Sequence, residues 1–159
     1  MKHLLHTTIV LLTIVISVSL LGTIPSAARG NNRDLSETIL SLINKHRRQI
    51  GLQPLQMISM ISAEAEAHSA SMAAHRIPLG HSGFDKRMGR IMKQLPHSSA
   101  AAENVAYGAS SAKEVVNMWL HSRGHRRNIE GNYNLTGIGI ARSRNGDLYF
   151  TQIFIYQRN

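Results

Sequence analysis

Two β-rich segments near the C-terminus, separated by a turn sequence, constrain the fold of this chain more than any other feature. Residues 137–141 and 148–156 are rich in β-branched and aromatic side chains, and Asn145-Gly146-Asp147 lies between them. Such a turn joins adjacent antiparallel strands. The segments that precede them carry apolar residues mostly at helical spacing. Helices followed by a β-hairpin predict an α+β domain.

The apolar spacing and the flanking caps predict four helices before this hairpin. They are Asp34 to Gly51 with Asp34 as the N-cap, residues 57–75, residues 86–95 with Asp85 as the N-cap, and Ser110 to about Ser122. Gly124 is expected to break the fourth helix. Residues 103–108 are predicted to form a short extended piece after a polar loop.

The first 28 residues have the composition of a secretory signal. Lys2 precedes an uncharged stretch rich in Ile, Leu and Val, and Ser26-Ala27-Ala28 supplies the small residues that signal peptidase requires. We predict cleavage after Ala28, a linker over residues 29–35 and one domain over residues 36–157. The cleaved protein would be secreted or lie in the cell envelope, without stable membrane insertion.

An uncleaved membrane anchor is the alternative interpretation of the same segment. The stretch from Leu4 to Ile24 is about long enough to span a bilayer, since a spanning helix needs roughly 20 apolar residues. Thr and Ser dilute its apolar character, so we favour cleavage.

Composition limits the partners and the means of stabilisation. The chain has no cysteine, so neither a disulfide nor a thiolate metal site can hold the fold. Removal of Lys2 from the 18 Lys and Arg residues would leave 17 against 9 Asp and Glu, a formal charge of +8. Such a surface attracts anionic partners. Basic residues cluster at 45–48 and at 123–127. We interpret the first cluster as a solvated face. The chain lacks zinc-finger spacing and aromatic–basic interleaving, so we expect no nucleic-acid partner.

Two of the nine histidines have an unusual setting. His81 and His125 each follow a glycine after a predicted helix, on backbone expected to be irregular, where functional residues concentrate. Glu103 is the one acidic residue between Asp85 and Glu114. Spacing alone does not join these three residues into one site. Surface or core-edge positions are expected for the other histidines of the domain, His46, His68, His75 and His97 among them.

Four segments, in this order, carry a family resemblance: Gly80 to Phe84, Ala102 to Ala106, Trp119 to Ile129, and Gly137 to Ala141 with Tyr149 to Phe154. Together they resemble the CAP (SCP/TAPS) superfamily, in particular its bacterial secreted branch. The third segment is the most specific, and the pattern of Asn44 and Arg47 also fits. The resemblance covers about Ser36 to Tyr156. It implies an α-β-α three-layer sandwich with a central antiparallel sheet, and a large cleft with two histidines and up to two acidic residues.

The resemblance assigns His81, His125 and Glu103 to that cleft. Ser122, also expected to line the cleft, stands three residues after Trp119, where animal members of the family have a second acidic residue. This incomplete set favours binding over catalysis. Two neutral imidazoles, His81 and His125, could bind zinc or another divalent metal, with Glu103 orienting a ring or holding a water. A structural network in which Glu103 caps both histidine loops is the alternative.

Three further residues are expected near this cleft. Asn128 is predicted to hold the Gly-His loop through backbone hydrogen bonds. Tyr149 and Thr151 share one face of the last strand and are expected to line the pocket, while Phe150 and Phe154 on the other face serve the core.

The favoured function is a binding module for a small molecule, a lipid, a divalent metal or an anionic cell-envelope component. The alternatives are an envelope interaction protein acting through its basic surface, and a metal-assisted hydrolase or peptidase using His81, Glu103 and His125, with Glu103 and His125 as candidate catalytic residues. Gly80-His81-Ser82-Gly83 approaches a nucleophile elbow, but Phe84 and the helix-to-loop setting do not fit that motif. The ligand and the oligomeric state stay open.

Overall fold

The computed structural model describes residues 26–158, so most of the predicted signal segment lies outside the described residues. The elements are α1 (Ser26–Gln49), β1 (Gln56–Met57), α2 (Ser59–Ala73), α3 (Phe84–Gln94), β2 (Ser98–Tyr107), α4 (Ala112–His121), α5 (Arg123–Ile129), β3 (Leu135–Arg142) and β4 (Leu148–Gln157). None of the helices in this part of the chain is long and apolar enough to span a membrane.

The strands form one sheet between two helical layers. Its order is β1-β3-β4-β2; β4 pairs antiparallel with both neighbours, and the two-residue β1 pairs parallel with β3. Helices α2 and α3 share a core with one face of the sheet, and α1 and α4 share a core with the other. Helix α5 follows α4 and contacts β2. The predicted α+β fold with an α-β-α sandwich is confirmed, and the parallel β1 edge adds to it.

The C-terminal hairpin forms where the sequence predicts it. Strands β3 and β4 are joined by a turn in which Gly146 has φ +93° and its N–H donates to the carbonyl of Ser143. Phe150 and Phe154 are fully buried against α1 and α4. Their assignment to the core is therefore confirmed.

Helix α2 lies against the backbone of β3, and two glycines make this possible. A Cβ atom on Gly139 would lie 2.0 Å from the backbone nitrogen of Glu66, and one on Gly137 would lie 2.3 Å from the backbone of Ile61. No side chain fits at either position. This close approach fixes α2 over the sheet and places the loop that follows it.

Several predicted boundaries are wrong. Helix α1 begins at Ser26, so Asp34 is not its N-cap and the predicted linker at 29–35 is helical. The side-chain amide of Asn32 donates to the carbonyl of Ile140 at 3.1 Å, a tertiary contact that sequence periodicity does not reveal. Likewise, α3 starts at Phe84 with Gly83 as its N-cap, and Asp85 lies in its first turn.

Two corrections concern the segments that carry candidate site residues. Strand β2 begins at Ser98 rather than at Glu103, because its Ala-rich first half pairs with β4. Gly124 does not end helical structure; it lies in α5, which starts directly after the C-cap of α4. His125 is therefore on a short helix and not on irregular backbone.

Arg47 corrects the interpretation of the 45–48 cluster as a solvated face. This residue is 2% exposed, and its guanidinium donates to the carbonyl oxygens of Gln53, Ile129, Gly131 and Tyr133 at 2.6–3.0 Å. Burial lowers the pKa of Arg47. The four carbonyl acceptors replace the water that the buried charge has lost, and they attach α1 to the loop between α5 and β3.

We expect Gly139→Ala to destabilise the protein by about 3 kcal/mol, the upper part of the range for overpacked cores, because α2 would have to move off the sheet. Gly89→Ala is the matched control. Gly89 is helical, and a methyl group at this position would meet nothing within 4 Å, so alanine should stabilise by about 0.5–1 kcal/mol. Urea unfolding followed by circular dichroism measures both. Equal stability of the two variants would contradict the close packing.

Candidate functional site

Glu103 lies in the middle of β2 and its side chain is 1% exposed. Successive strand residues point to opposite faces, so Glu103 lies under α3 while its neighbour Asn104 lies on the side of α4 and α5. Both side chains are buried. Strand β2 therefore supplies one polar group to each helical layer at the same point along the sheet.

The Glu103 carboxylate is neutralised by Arg87 of α3. The guanidinium donates from Nε to Oε2 at 3.0 Å, and from Nη2 to Oε1 at 2.9 Å and to Oε2 at 2.8 Å. Its remaining nitrogen, Nη1, donates to the carbonyl of Ser82 at 2.7 Å. Both carboxylate oxygens are thus occupied by a buried, bidentate charge pair.

Arg87 was not among the site residues predicted from the sequence, although a signal for it exists. Phe84, Arg87, Met88 and Ile91 fall at positions i, i+3, i+4 and i+7 of one helix face, and the last three are buried. An arginine within an apolar stripe requires a buried partner. Apart from Asp85, which was predicted to be an N-cap, Glu103 is the acidic residue nearest to Arg87 in the sequence.

His81 lies in the loop between α2 and α3 and contacts the same carboxylate. Its Nδ1 donates to Oε1 of Glu103 at 2.9 Å, and about half of its side chain is exposed. The bond to Glu103 fixes the ring and leaves Nε2 available to a ligand. The loop turns through Gly80 and Gly83, both with positive φ.

His68 is a second residue that sequence analysis did not assign to the site. It is buried on α2, its Nε2 donates to the carbonyl of Gly80 at 2.8 Å, and it lies 3.8 Å from Oε1 of Glu103. Burial lowers its pKa, and the charge of Arg87 adds to this effect, although the bond to Gly80 opposes it. His68 is on the buried stripe of α2 with Ile61, Ala65, Ser69 and Met72. That spacing could have excluded a surface position.

His125 reaches the site from the other helical layer. The amide of Asn104 donates to the His125 carbonyl at 3.1 Å. Asn128 donates to Oδ1 of Asn104 at 2.8 Å and to the carbonyl of Glu103 at 3.2 Å. Asn128 was predicted to bind the backbone of the Gly-His segment. Its side chain instead binds Glu103 and Asn104 of β2, and it is Asn104 that binds the His125 carbonyl.

The two candidate histidines influence each other electrostatically. Burial lowers the pKa of His125, and a charge on His81 lowers it further. Within the described residues, neither ring nitrogen of His125 has a protein hydrogen-bond partner. Glu103 and Arg87 lie beneath His81, and the adjacent β2 residues Glu103 and Asn104 contact His81 and the backbone of His125 respectively.

Residues 40–154 match the model of the CAP family, described as the cysteine-rich secretory protein family. The match covers most of the chain. The chain belongs to the CAP family. Because this CAP domain contains no cysteine, its fold depends on packing and on buried polar contacts such as those of Arg47 and Arg87.

Two curated proteins are similar to this CAP domain. It is 37% identical over 123 residues to the uncharacterized protein YkwD of Bacillus subtilis (strain 168), covering 74% of this chain and 45% of that protein. It is 30% identical over 122 residues to the uncharacterized membrane protein YlbC of the same organism, covering 74% of this chain and 33% of that protein. The matched region spans less than half of these curated relatives.

Solved structures share the architecture. An outer surface protein from Borrelia burgdorferi superimposes with a TM-score of 0.70 at 20% identity, covering 80% of this chain and 96% of that chain. An extracellular protein containing an SCP domain from Bacillus anthracis str. Ames gives 0.70 at 23% identity, covering 86% of this chain and 45% of that chain. At these identities the likeness supports the fold alone.

Two residues expected in the cleft of this CAP domain lie elsewhere. Thr151 is fully buried, and its hydroxyl accepts a hydrogen bond from Ser69 of α2 at 2.8 Å. Tyr149 is 7% exposed and its ring packs on those of Tyr107 and His75. The shared face was predicted correctly, but α2 covers it. Ser122 is partly buried at the junction of α4 and α5, three residues before His125.

The donor set does not fit a resident zinc ion. Protein zinc sites use three or four protein ligands. Both oxygens of Glu103 are engaged by Arg87 and His81. Among the residues that the structure describes, no group of three His, Cys, Asp or Glu side chains could hold a metal. The imidazoles of His81 and His125 therefore lack a third side-chain ligand for such an ion among these residues.

Replacing Arg87 by methionine should cost about 3–5 kcal/mol of stability, because Glu103 would remain buried without its partner. Arg90→Met is the matched control on the same helix. Arg90 pairs with Glu64 at 2.6 Å and is largely exposed, so its loss should cost about 1 kcal/mol or less. Urea titration of both variants tests this difference. Similar losses would show that the Glu103 pair is not effectively buried.

Stability should fall as the pH drops below about 6.5, the ordinary value for histidine in an unfolded chain. His68 and His125 have lowered pKa values in the folded state, so the unfolded state takes up their protons first and gains stability from them. His68→Gln should reduce this loss between pH 7 and pH 5. Exposed His121 supplies the control His121→Gln, which should follow the wild-type curve. Identical slopes in all three proteins would refute this.

Proposed function

We propose that this CAP domain is a binding module of the cell envelope or the extracellular space that takes a small ligand at His81 and His125. The observation that carries the proposal is the engagement of both Glu103 oxygens by Arg87 and His81. A carboxylate held in a buried bidentate pair is a poor general base, because accepting a proton would leave Arg87 buried and unpaired. Glu103 instead fixes the ring of His81.

The ligand chemistry follows from the two imidazoles. The Nδ1–H of His81 is used by Glu103, so its Nε2 is a hydrogen-bond acceptor when the ring is neutral. His125 has a lowered pKa, so at neutral pH its ring offers one acceptor nitrogen and one N–H donor. Two acceptors suit a ligand with hydroxyl, amine or amide donors, such as a lipid head group or an amino sugar. A metal-assisted hydrolase is the weaker candidate, since the Glu103 carboxylate is already held by Arg87 and His81.

The proposed location rests on the N-terminal segment. Its composition predicts export, and two structural neighbours are described as an outer surface protein and an extracellular protein. We propose that the domain acts outside the cytoplasm, whether released by cleavage after Ala28 or held at the membrane.

Histidine-selective NMR of the purified chain tests the binding site. Three probes are added in turn: a lysophospholipid, N-acetylglucosamine and zinc chloride. We expect at least one organic probe to shift the His81 and His125 signals saturably, and this binding to be lost in His81→Ala and in His125→Ala. The control is His97→Ala. His97 is exposed and immediately precedes β2, so this variant should bind like the wild type. Equal binding by all variants would show that the ligand does not bind at His81 and His125.

Hydrolysis is tested separately with ester and peptide libraries, with and without zinc. We expect no turnover that depends on Glu103. Turnover that disappears in Glu103→Gln while the circular dichroism spectrum stays unchanged would favour the hydrolase and overturn the proposal.

A further inference from the structure

A basic groove beside α5 is not part of the histidine site. Its volume is about 570 Å³, and the residues that line it are His121, Arg123, Arg126, Arg127, Glu130 and Gly131. The three arginines stand at positions i, i+3 and i+4 of α5, so they share one face of the helix. All three are exposed. The groove is therefore open to a partner from solution.

The positive charge of this groove is not neutralised by ion pairs within the described part of the domain. The ion pairs among residues 26–158 include none of its three arginines. Its one carboxylate, that of Glu130, contacts Nε2 of His46 at 2.9 Å. Nε of Arg126 donates to the carbonyl of Leu120, which fixes the base of the side chain and leaves the two terminal nitrogens without a protein acceptor in this part of the structure.

Three exposed guanidinium groups on one face suit phosphate groups. The planar arginine fork matches phosphate oxygens in a bidentate geometry and stays charged at every physiological pH. The volume of the groove lies within the range of about 300–1,000 Å³ that holds ligands much larger than one phosphate ion. Several phosphate groups along one polymer would use all three arginines together.

The lining also argues against single-stranded nucleic acid. Proteins that bind single strands place bases on aromatic side chains, and no Trp, Tyr or Phe lines this groove. A polymer with a phosphate backbone and no bases can bind the arginines of the groove and does not require aromatic side chains.

We infer that the groove formed by Arg123, Arg126 and Arg127 binds a phosphate-linked polyanion without nucleobases, through the backbone phosphates. This site is separate from the proposed small-ligand site, and neither depends on the other. The two share only α5, which carries His125 between the arginines.

Binding of inorganic polyphosphate and of poly(glycerol phosphate) to the purified full-length chain tests the inference by calorimetry. We expect the Arg123→Gln/Arg127→Gln variant to bind each polymer at least about tenfold more weakly, as the loss of charged hydrogen bonds would produce. The logarithm of its affinity should also fall less steeply with the logarithm of salt concentration, since fewer phosphates are neutralised. The control Arg76→Gln/Arg144→Gln removes the same charge from exposed arginines elsewhere and should bind within about twofold of the wild type.

Three results would overturn the inference. Equal weakening in both double variants would assign the binding to net charge alone. A single-stranded oligonucleotide of equal charge that binds as tightly as polyphosphate would show that bases are recognised or tolerated. Retention on phosphatidylglycerol vesicles without binding to either free polymer would make a lipid surface the partner. Circular dichroism of each variant excludes misfolding as the cause.

Discussion

The Glu103 carboxylate is buried in the sheet, and much of the site's geometry follows from how its charge is compensated. Arg87 pairs with both oxygens and also binds the carbonyl of Ser82, so one guanidinium joins β2, α3 and the loop between α2 and α3. His68 binds the same loop at Gly80, and His81 binds Glu103 directly. Since a buried ion pair gains stability only when its remaining groups are satisfied, the loop and the pair stabilise each other.

The next residue of β2, Asn104, holds the segment that carries the second histidine in the opposite helical layer. Asn104 is fully buried and binds the backbone of His125, while Asn128 binds both Asn104 and the Glu103 carbonyl. Two adjacent residues of one strand thus position two histidines that belong to different helical layers. Both oxygens of Glu103 and the amide of Asn104 are already hydrogen-bonded to protein groups, which is why we propose recognition rather than proton transfer for this site.

A fold without disulfides needs other means of holding its connections. Arg47 donates to four carbonyl groups, one in the connection after α1 and three at or after the end of α5, and Asn44 makes a reciprocal pair of bonds with the backbone of Leu55. Gly137 and Gly139 let α2 approach the sheet at backbone distance. These contacts lie beneath or between the elements that carry His81, His125 and the arginines of α5.

The sequence by itself determined the fold class, the C-terminal hairpin, the core faces of Phe150 and Phe154, and the candidates His81, Glu103 and His125. Periodicity, turn residues and motifs are local signals, and these features are encoded locally. The start of α1, the length of β2 and the helical setting of His125 were decided by tertiary contacts. So were the partnership of Arg87 with Glu103, the burial of Thr151 under α2 and the place of His68. Each of these depends on which distant group meets a buried polar atom, and only the packed layers bring such groups together.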